Sequence, residues 1–267
     1  TFDTFMRPLF YILLLLLPAA LWAGNKGDAL QQATQRIGLP VLADSILPPG
    51  VYNITYQSPA DSAQVVAYLQ LLQTEYSKYP TGYLAKLGLR QIVLAHNLQI
   101  NGQARTAIPD ATTQTLYLEI DGLHAQQDSG YLIHVMHHEL HHYAEYAKWG
   151  DMYYNWRRWK CLNPHSFRYL GAGDMAYTNQ VVDWYSFTHP KPGFMNMYST
   201  TAPEEDRCEL IGLLMSSEGV QHLRQYFLTD NKLRRKVKAV VKLLNNISHT
   251  RTNYWTMQLI NLKRKPF

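Results

Sequence analysis

"VMHHELHHYAEY", residues 135–146, packs four histidines and a glutamate into the six positions 137–142. Histidines four residues apart occur in three registers: His134 with His138, His137 with His141, and His138 with His142. Only His138 is followed by a glutamate, so His138-Glu139-Leu140-His141-His142 reads H-E-x-x-H. On a helix, positions i and i+4 lie one above the other, and two imidazoles so placed can face one ion. Glu139 is turned about 100° round the axis, close enough to hold a water and displaced from direct ligation. Leu132, Ile133, Val135, Met136, Leu140, Tyr143, Ala144 and Ala147 form a broad apolar stripe, which predicts a helix over about 131–148. Two histidines are one ligand short, because a catalytic zinc takes three protein ligands and leaves one position for water.

The rest of the chain supplies the setting. At 267 residues, 46% apolar and 17% charged, it is ordinary globular material with a net charge of +5. Basic residues gather in "NKLRRKVKAVVKLL" (231–244), where Leu233, Val237, Val240, Val241 and Leu244 recur at helical spacing. An amphipathic helix with a solvated basic face is expected there, and no nucleic-acid partner, since no aromatic residues are interleaved with the charges. "MRPLFYILLLLLPAALWAG" (6–24) carries one positive charge, an apolar run from Leu9 to Leu17 and small residues ending in Ala23-Gly24. Residues 1–23 therefore read as a secretory signal peptide, those before Met6 being upstream residues, with residues 24–267 as the exported domain. Secretion or a periplasmic location is expected, without a stable membrane span. Leu21, large for the −3 position, leaves an uncleaved anchor as the alternative. In an oxidising compartment Cys161 and Cys208 either pair as a disulfide or pack as two small thiols.

Along the chain, residues 24–60 are rich in Pro, Gly, Ala and Asn and read as an irregular lead-in. A helix is expected over 60–79, with Asp61 or Ser62 as its start and Pro80-Thr81-Gly82 as its stop. Strands are expected near 91–97 and 114–120, with a loop or edge segment between them. Residues 152–180 are aromatic and turn-rich without a period, and helices return at about 202–228, 231–246 and 252–262. Strands, then the motif helix, then a helical lobe suggest an α+β chain: a small mixed sheet packed on the motif helix, followed by a mainly helical C-terminal lobe.

The missing ligand is sought in "MYSTTAPEEDRCELIGLLM" (197–215). Thr201-Ala202-Pro203-Glu204 fits a capping box, and acidic residues at 204–206 suit any helix N-terminus. Glu205 and Glu209 are also spaced i, i+4 on an otherwise apolar helix, where two carboxylates need partners. A metal ion and a ligand imidazole would serve: Glu205 coordinating, Glu209 accepting from the far N–H of His138 or His142.

H-E-x-x-H followed by E-x-x-x-[DE] resembles the gluzincin zinc metallopeptidases. More closely, "YSTTAPEEDRCELIGLLM" resembles the catalytic domain of anthrax lethal factor and the bacterial zinc-binding metallopeptidases related to it, in which a tyrosine precedes the ligand glutamate by seven residues. Tyr198, Glu205 and Glu209 meet that spacing, and "LNPHSFRYLG" (162–171) resembles an N-P-x-x-F-x-Y stretch between the two motifs. The resemblance covers about residues 114–216. It implies a zincin-like fold, one zinc held by His138, His142 and Glu205, Glu139 as general base then acid, and Tyr198 on the developing oxyanion or the leaving group. By analogy an edge strand near 114–120 aligns a peptide or protein substrate. Cys208 stands where the group has a small aliphatic residue, and His134, His137 and His141 are given no role. Two rival readings stay open: a non-catalytic zinc-binding or interaction protein of the same fold, and a zinc amidase acting on cell-wall peptides.

Overall fold

A computed structural model describes residues 25–120, 129–150, 157–171, 173, 176 and 183–264. The predicted signal peptide and most of the 172–182 stretch lie outside the described residues. The chain is α+β. Its lead-in is more regular than the composition suggested: a helix α1 (Lys26–Ile37) capped by Asn25 and ended by Gly38 at φ 77°, then strands β1 (Val41–Leu42) and β2 (Ile54–Gln57). Asn and Gly in this stretch are therefore helix punctuation rather than loop filler. The predicted 60–79 helix is α2 (Ser62–Tyr76), and Asp61 caps it by accepting from Ala63 N at 2.8 Å. A short α3 (Tyr83–Lys86) leads to β3 (Gln91–Ile100), β4 (Gln103–Ala104), β5 (Ala107–Asp110) and β6 (Thr115–Glu119).

The sheet is mixed, in the order β1-β3-β6-β5, with β2 and β4 pairing to the far end of β3. β3 and β6 run parallel in the register Gln91↔Thr115 to Ala95↔Glu119, and β5 returns antiparallel to β6. The strand expected to form the edge at 114–120 is thus enclosed between β3 and β5, and β5 forms the edge in its place. Both faces of the central strands are buried, which explains their continuous apolar runs. Ile92, Leu94, Leu116 and Leu118 face the main core with Leu69, Leu72, Met136 and Leu140, while Val93, Ala95 and Tyr117 pack under Ile54 and Tyr56.

The motif helix α4 (Ser129–Trp149) lies on the main-core face, followed by a short α5 (Arg157–Lys160). A 3-10 turn, Tyr198–Thr200, runs into α6 (Pro203–Met215), which packs along α4 and is buried on nearly all sides. The expected capping box does not form. Ala202 occupies the cap without a side-chain bond, and Thr201 Oγ1 donates backwards to Tyr198 O at 2.8 Å. Proline still occupies the first turn. Ser216 breaks the expected 202–228 helix into α6 and α7 (Ser217–Phe227), capping the second by accepting from Gly219 N. α8 (Asn231–Ser248) and α9 (Tyr254–Lys263) complete the lobe. α8 is amphipathic as predicted, with Leu233, Val237, Val240, Val241 and Leu244 inward, yet Lys236 on it is fully buried. Among the described residues no helix is long and apolar enough to cross a membrane.

Candidate metal centre

Two helices separated by more than fifty residues of chain meet over one side of a cleft of about 1000 Å³. From α4, His138 and His142 turn their Nε2 atoms toward the same point, 3.0 Å apart. From the first turn of α6, Glu205 Oε2 lies 3.1 Å from His138 Nε2 and 3.2 Å from His142 Nε2. Zinc bonds of 2.0–2.1 Å at tetrahedral angles separate neighbouring ligand atoms by about 3.3 Å, so the three donors are close to the spacing a shared ion requires.

The tautomer of His138 follows from its other nitrogen. Nδ1 lies 2.9 Å from Glu209 Oε1 and donates to it, which leaves the Nε2 lone pair of a neutral ring aimed at Glu205 and His142. Three lone pairs facing one another repel unless a cation or protons are shared among them. Burial disfavours charge on either histidine, but hydrogen bonds to Glu205 and Glu209 raise the pKa of His138 well above the ordinary value, and Glu205 raises that of His142. Burial likewise opposes charge on Glu205, yet the His142 charge and the bonds from both imidazoles hold it far below the carboxylate range. Glu139, half-buried on the cleft wall, is raised by burial and only partly offset by His138 and His142.

His, Glu and Cys side chains here form donor groups able to hold a metal ion, and Cys208 Sγ also lies within 4.8 Å of the His138 and His142 nitrogens. Glu205 is the better third ligand. Its pKa is held low by the two imidazoles, whereas burial and the Glu145 and Glu205 charges push the Cys208 thiol well up, and a thiol must ionise to bind. Cys208 is fully buried and Cys161 exposed, and both are free, so the disulfide alternative is not realised.

Comparison with protein-family models, curated proteins and solved structures returns no match.

The competing histidine register is excluded by its partners. His137 faces the core with Nε2 2.8 Å from Glu75 Oε2 and Nδ1 2.9 Å from Tyr79 OH. His141 lies 3.0 Å from Glu145 Oε1. Burial lowers the pKa of both rings. Tyr198 is on the cleft wall with its ring 6.0 Å from that of His138, stacked at a tilt on Tyr185.

Of the other two acidic residues in the α6 first turn, neither is a surface group. Asp206 is fully buried, and its Oδ2 accepts from Lys236 Nζ at 2.7 Å, Trp159 Nε1 at 2.8 Å and Tyr169 OH at 2.6 Å. Tyr169 belongs to the N-P-x-x-F-x-Y stretch, so that stretch is tied to the residue beside Glu205. Glu204 lines the cleft, and its pKa is raised by burial.

Four residues near the centre were not nominated from the sequence. Arg207 forms an ion pair with Glu145, which joins α6 to α4 beside the ligands. Its signal was a guanidinium inside an apolar helix, a group that needs a buried carboxylate. Asn196 Nδ2 donates to Glu209 Oε2 at 2.6 Å. A Cβ on Gly173 would sit 2.3 Å from Glu205 Oε1 and 3.0 Å from Tyr198 OH, so any larger residue would displace the Glu205 carboxylate.

Proposed function

We propose that this chain is a zinc metallopeptidase of the gluzincin type, with a zincin-like fold, acting on peptides or proteins after export. The observation that carries this reading is the convergence of His138 Nε2, His142 Nε2 and Glu205 Oε2 within 3.2 Å of one another, with Glu139 beside them on a cleft wall.

Those three atoms would hold the ion, and Glu209 would keep the His138 ring turned toward it. Bound there, a zinc ion would supply Lewis acidity for a water and for a peptide carbonyl. Glu139 takes the proton from the attacking water and delivers it to the leaving amine. Tyr198 donates its phenol O–H to the oxyanion that develops on the carbonyl oxygen. β5 pairs with β6 on one side and contributes Ala107, Ile108 and Asp110 to the cleft on the other, so an extended peptide can add along it in antiparallel or parallel sense.

The test is metal analysis of the purified protein combined with a peptide-library digest. One zinc per chain and cleavage by the wild type are expected. Glu139→Gln should retain the zinc and lose activity by several orders of magnitude, beyond the roughly 10²–10⁴ of a general base alone, because the carboxylate also positions the nucleophile. Zinc without cleavage of any peptide would favour a non-catalytic binding protein, or an amidase if only cell-wall fragments are cut. Activity of Glu139→Gln within about tenfold of wild type removes Glu139 from the mechanism.

A further inference from the structure

The carboxylate of Glu209 is held by three donors, of which the sequence announced one. Its Oε1 lies 2.9 Å from His138 Nδ1 and 3.0 Å from His134 Nε2, and its Oε2 accepts from Asn196 Nδ2 at 2.6 Å. His134 sits one turn before His138 on α4, and the two rings are 5.9 Å apart. Two N–H donors on one oxygen saturate its lone pairs and remove the rotation that a carboxylate would otherwise keep.

The fold retains this imidazole although one of its nitrogens is left unpaired. His134 Nδ1 is buried and has no hydrogen-bond partner among the described residues. Gly212, in the interior of α6, lets the two helices approach closely: a Cβ there would lie 2.6 Å from His134 Cε1 and Nδ1 and 2.9 Å from the His134 backbone O. An apolar residue at 134 would fill the same space without leaving a buried nitrogen unpaired. Asn196 carries the link further: its Oδ1 accepts from Ser199 N at 2.9 Å, inside the turn that bears Tyr198.

We infer that His134 is a positioning residue for the candidate metal centre. By donating from Nε2 to the Glu209 oxygen that also accepts from His138 Nδ1, it fixes that carboxylate and keeps His138 Nε2 turned toward His142 and Glu205. The role rests on reading His138, His142 and Glu205 as the metal ligands, and it differs from core filling because it depends on one N–H.

Zinc affinity, measured by chelator competition on the purified chain, tests it with three variants. His134→Phe fills the space without the donor, His134→Gln places an amide N–H where Nε2 stands, and Gly212→Ala crowds both the ring and the His134 backbone carbonyl. His134→Phe and Gly212→Ala should weaken zinc about 10–100-fold, the usual effect of losing a ligand's hydrogen-bonded support, and His134→Gln should stay within about threefold of wild type. A downfield, exchange-protected His138 Nδ1 proton in the metal-free protein gives a second readout by NMR. It should persist in wild type and His134→Gln and exchange rapidly in His134→Phe. If His134→Phe binds zinc as wild type does, or His134→Gln fails as badly as His134→Phe, the positioning role is wrong. If the wild type takes up no zinc, the metal reading fails, and the protection of the Nδ1 proton still decides whether His134 orients His138.

Discussion

Three consecutive acidic side chains open α6, and they meet three different fates within one turn. Glu205 faces both imidazoles, Glu204 lines the cleft, and Asp206 points away from it to a buried lysine. The i, i+4 spacing to Glu209 and the offset from Tyr198 were enough to single out Glu205, because helical phase puts only that residue on the α4 side. Glu205→Ala should strip most of the zinc, since a site left with two histidines loses its third anchor. Glu209→Ala should cost about 10–100-fold in affinity, while Glu204→Ala should leave metal content and activity near wild type. Metal content by mass spectrometry after dialysis against a weak chelator separates the three. Gly173→Ala should behave like Glu209→Ala, because the added methyl would occupy the place of Glu205 Oε1. That glycine was illegible: nothing in an aromatic, turn-rich segment says which ligand passes over it. His134 was equally silent, because its partner lies 75 residues away on another helix.

At the scale of elements, α4 and α6 need a fixed separation for their donors to meet, and buried charge pairs supply it. Arg207 on α6 grips Glu145 on α4, and Lys236 on α8 reaches Asp206 while also donating to Gly193 O at 2.9 Å. Asp206 looked like a cap from the sequence, because acidic residues at a helix start usually face water. Here the helix is buried on nearly all sides, and the one lysine on the inner face of the basic α8 is the partner of Asp206. Removing one member strands the other, so Asp206→Ala should destabilise the fold by about 3–5 kcal/mol, whereas Asp206→Ala combined with Lys236→Met should recover much of that loss. Denaturant unfolding of the metal-free variants measures both, and additive losses in the double variant would contradict a paired role. Helix periods and the Asp61 cap were readable for the same reason that the edge strand was not. A period belongs to a few neighbouring residues, but whether a strand ends a sheet depends on a partner such as β5, a four-residue strand interrupted by Pro109.

For the whole molecule, the proposed ligands come from two helices in one core that extends from Ala33 on α1 to Leu262 on α9, so metal binding there would be thermodynamically linked to folding. At 100 times its Kd, zinc should add about 2.7 kcal/mol to stability. For a chain of this length that corresponds to a rise in Tm of about 5–10 °C. The linkage has a definite sign with pH. His138 and His142 have folded pKa values above the ordinary value of about 6.5, so their contribution to the metal-free fold is complete below that pH and is lost as pH rises through the raised values. Glu205 is depressed, so its contribution is present above the ordinary carboxylate range and lost only as pH falls through its much lower folded value. Protons on the imidazoles and zinc compete for the same nitrogens, and raising the pH above neutrality therefore weakens the metal-free state while strengthening metal binding. Apparent affinity should climb up to about tenfold per pH unit for each proton displaced. The zinc-induced rise in Tm at fixed free zinc should accordingly be larger at pH 8 than at pH 6, and Glu205→Ala should flatten it at both. A rise that is independent of pH would mean that the ion sits away from His138 and His142, and the centre would have to be sought elsewhere in the cleft.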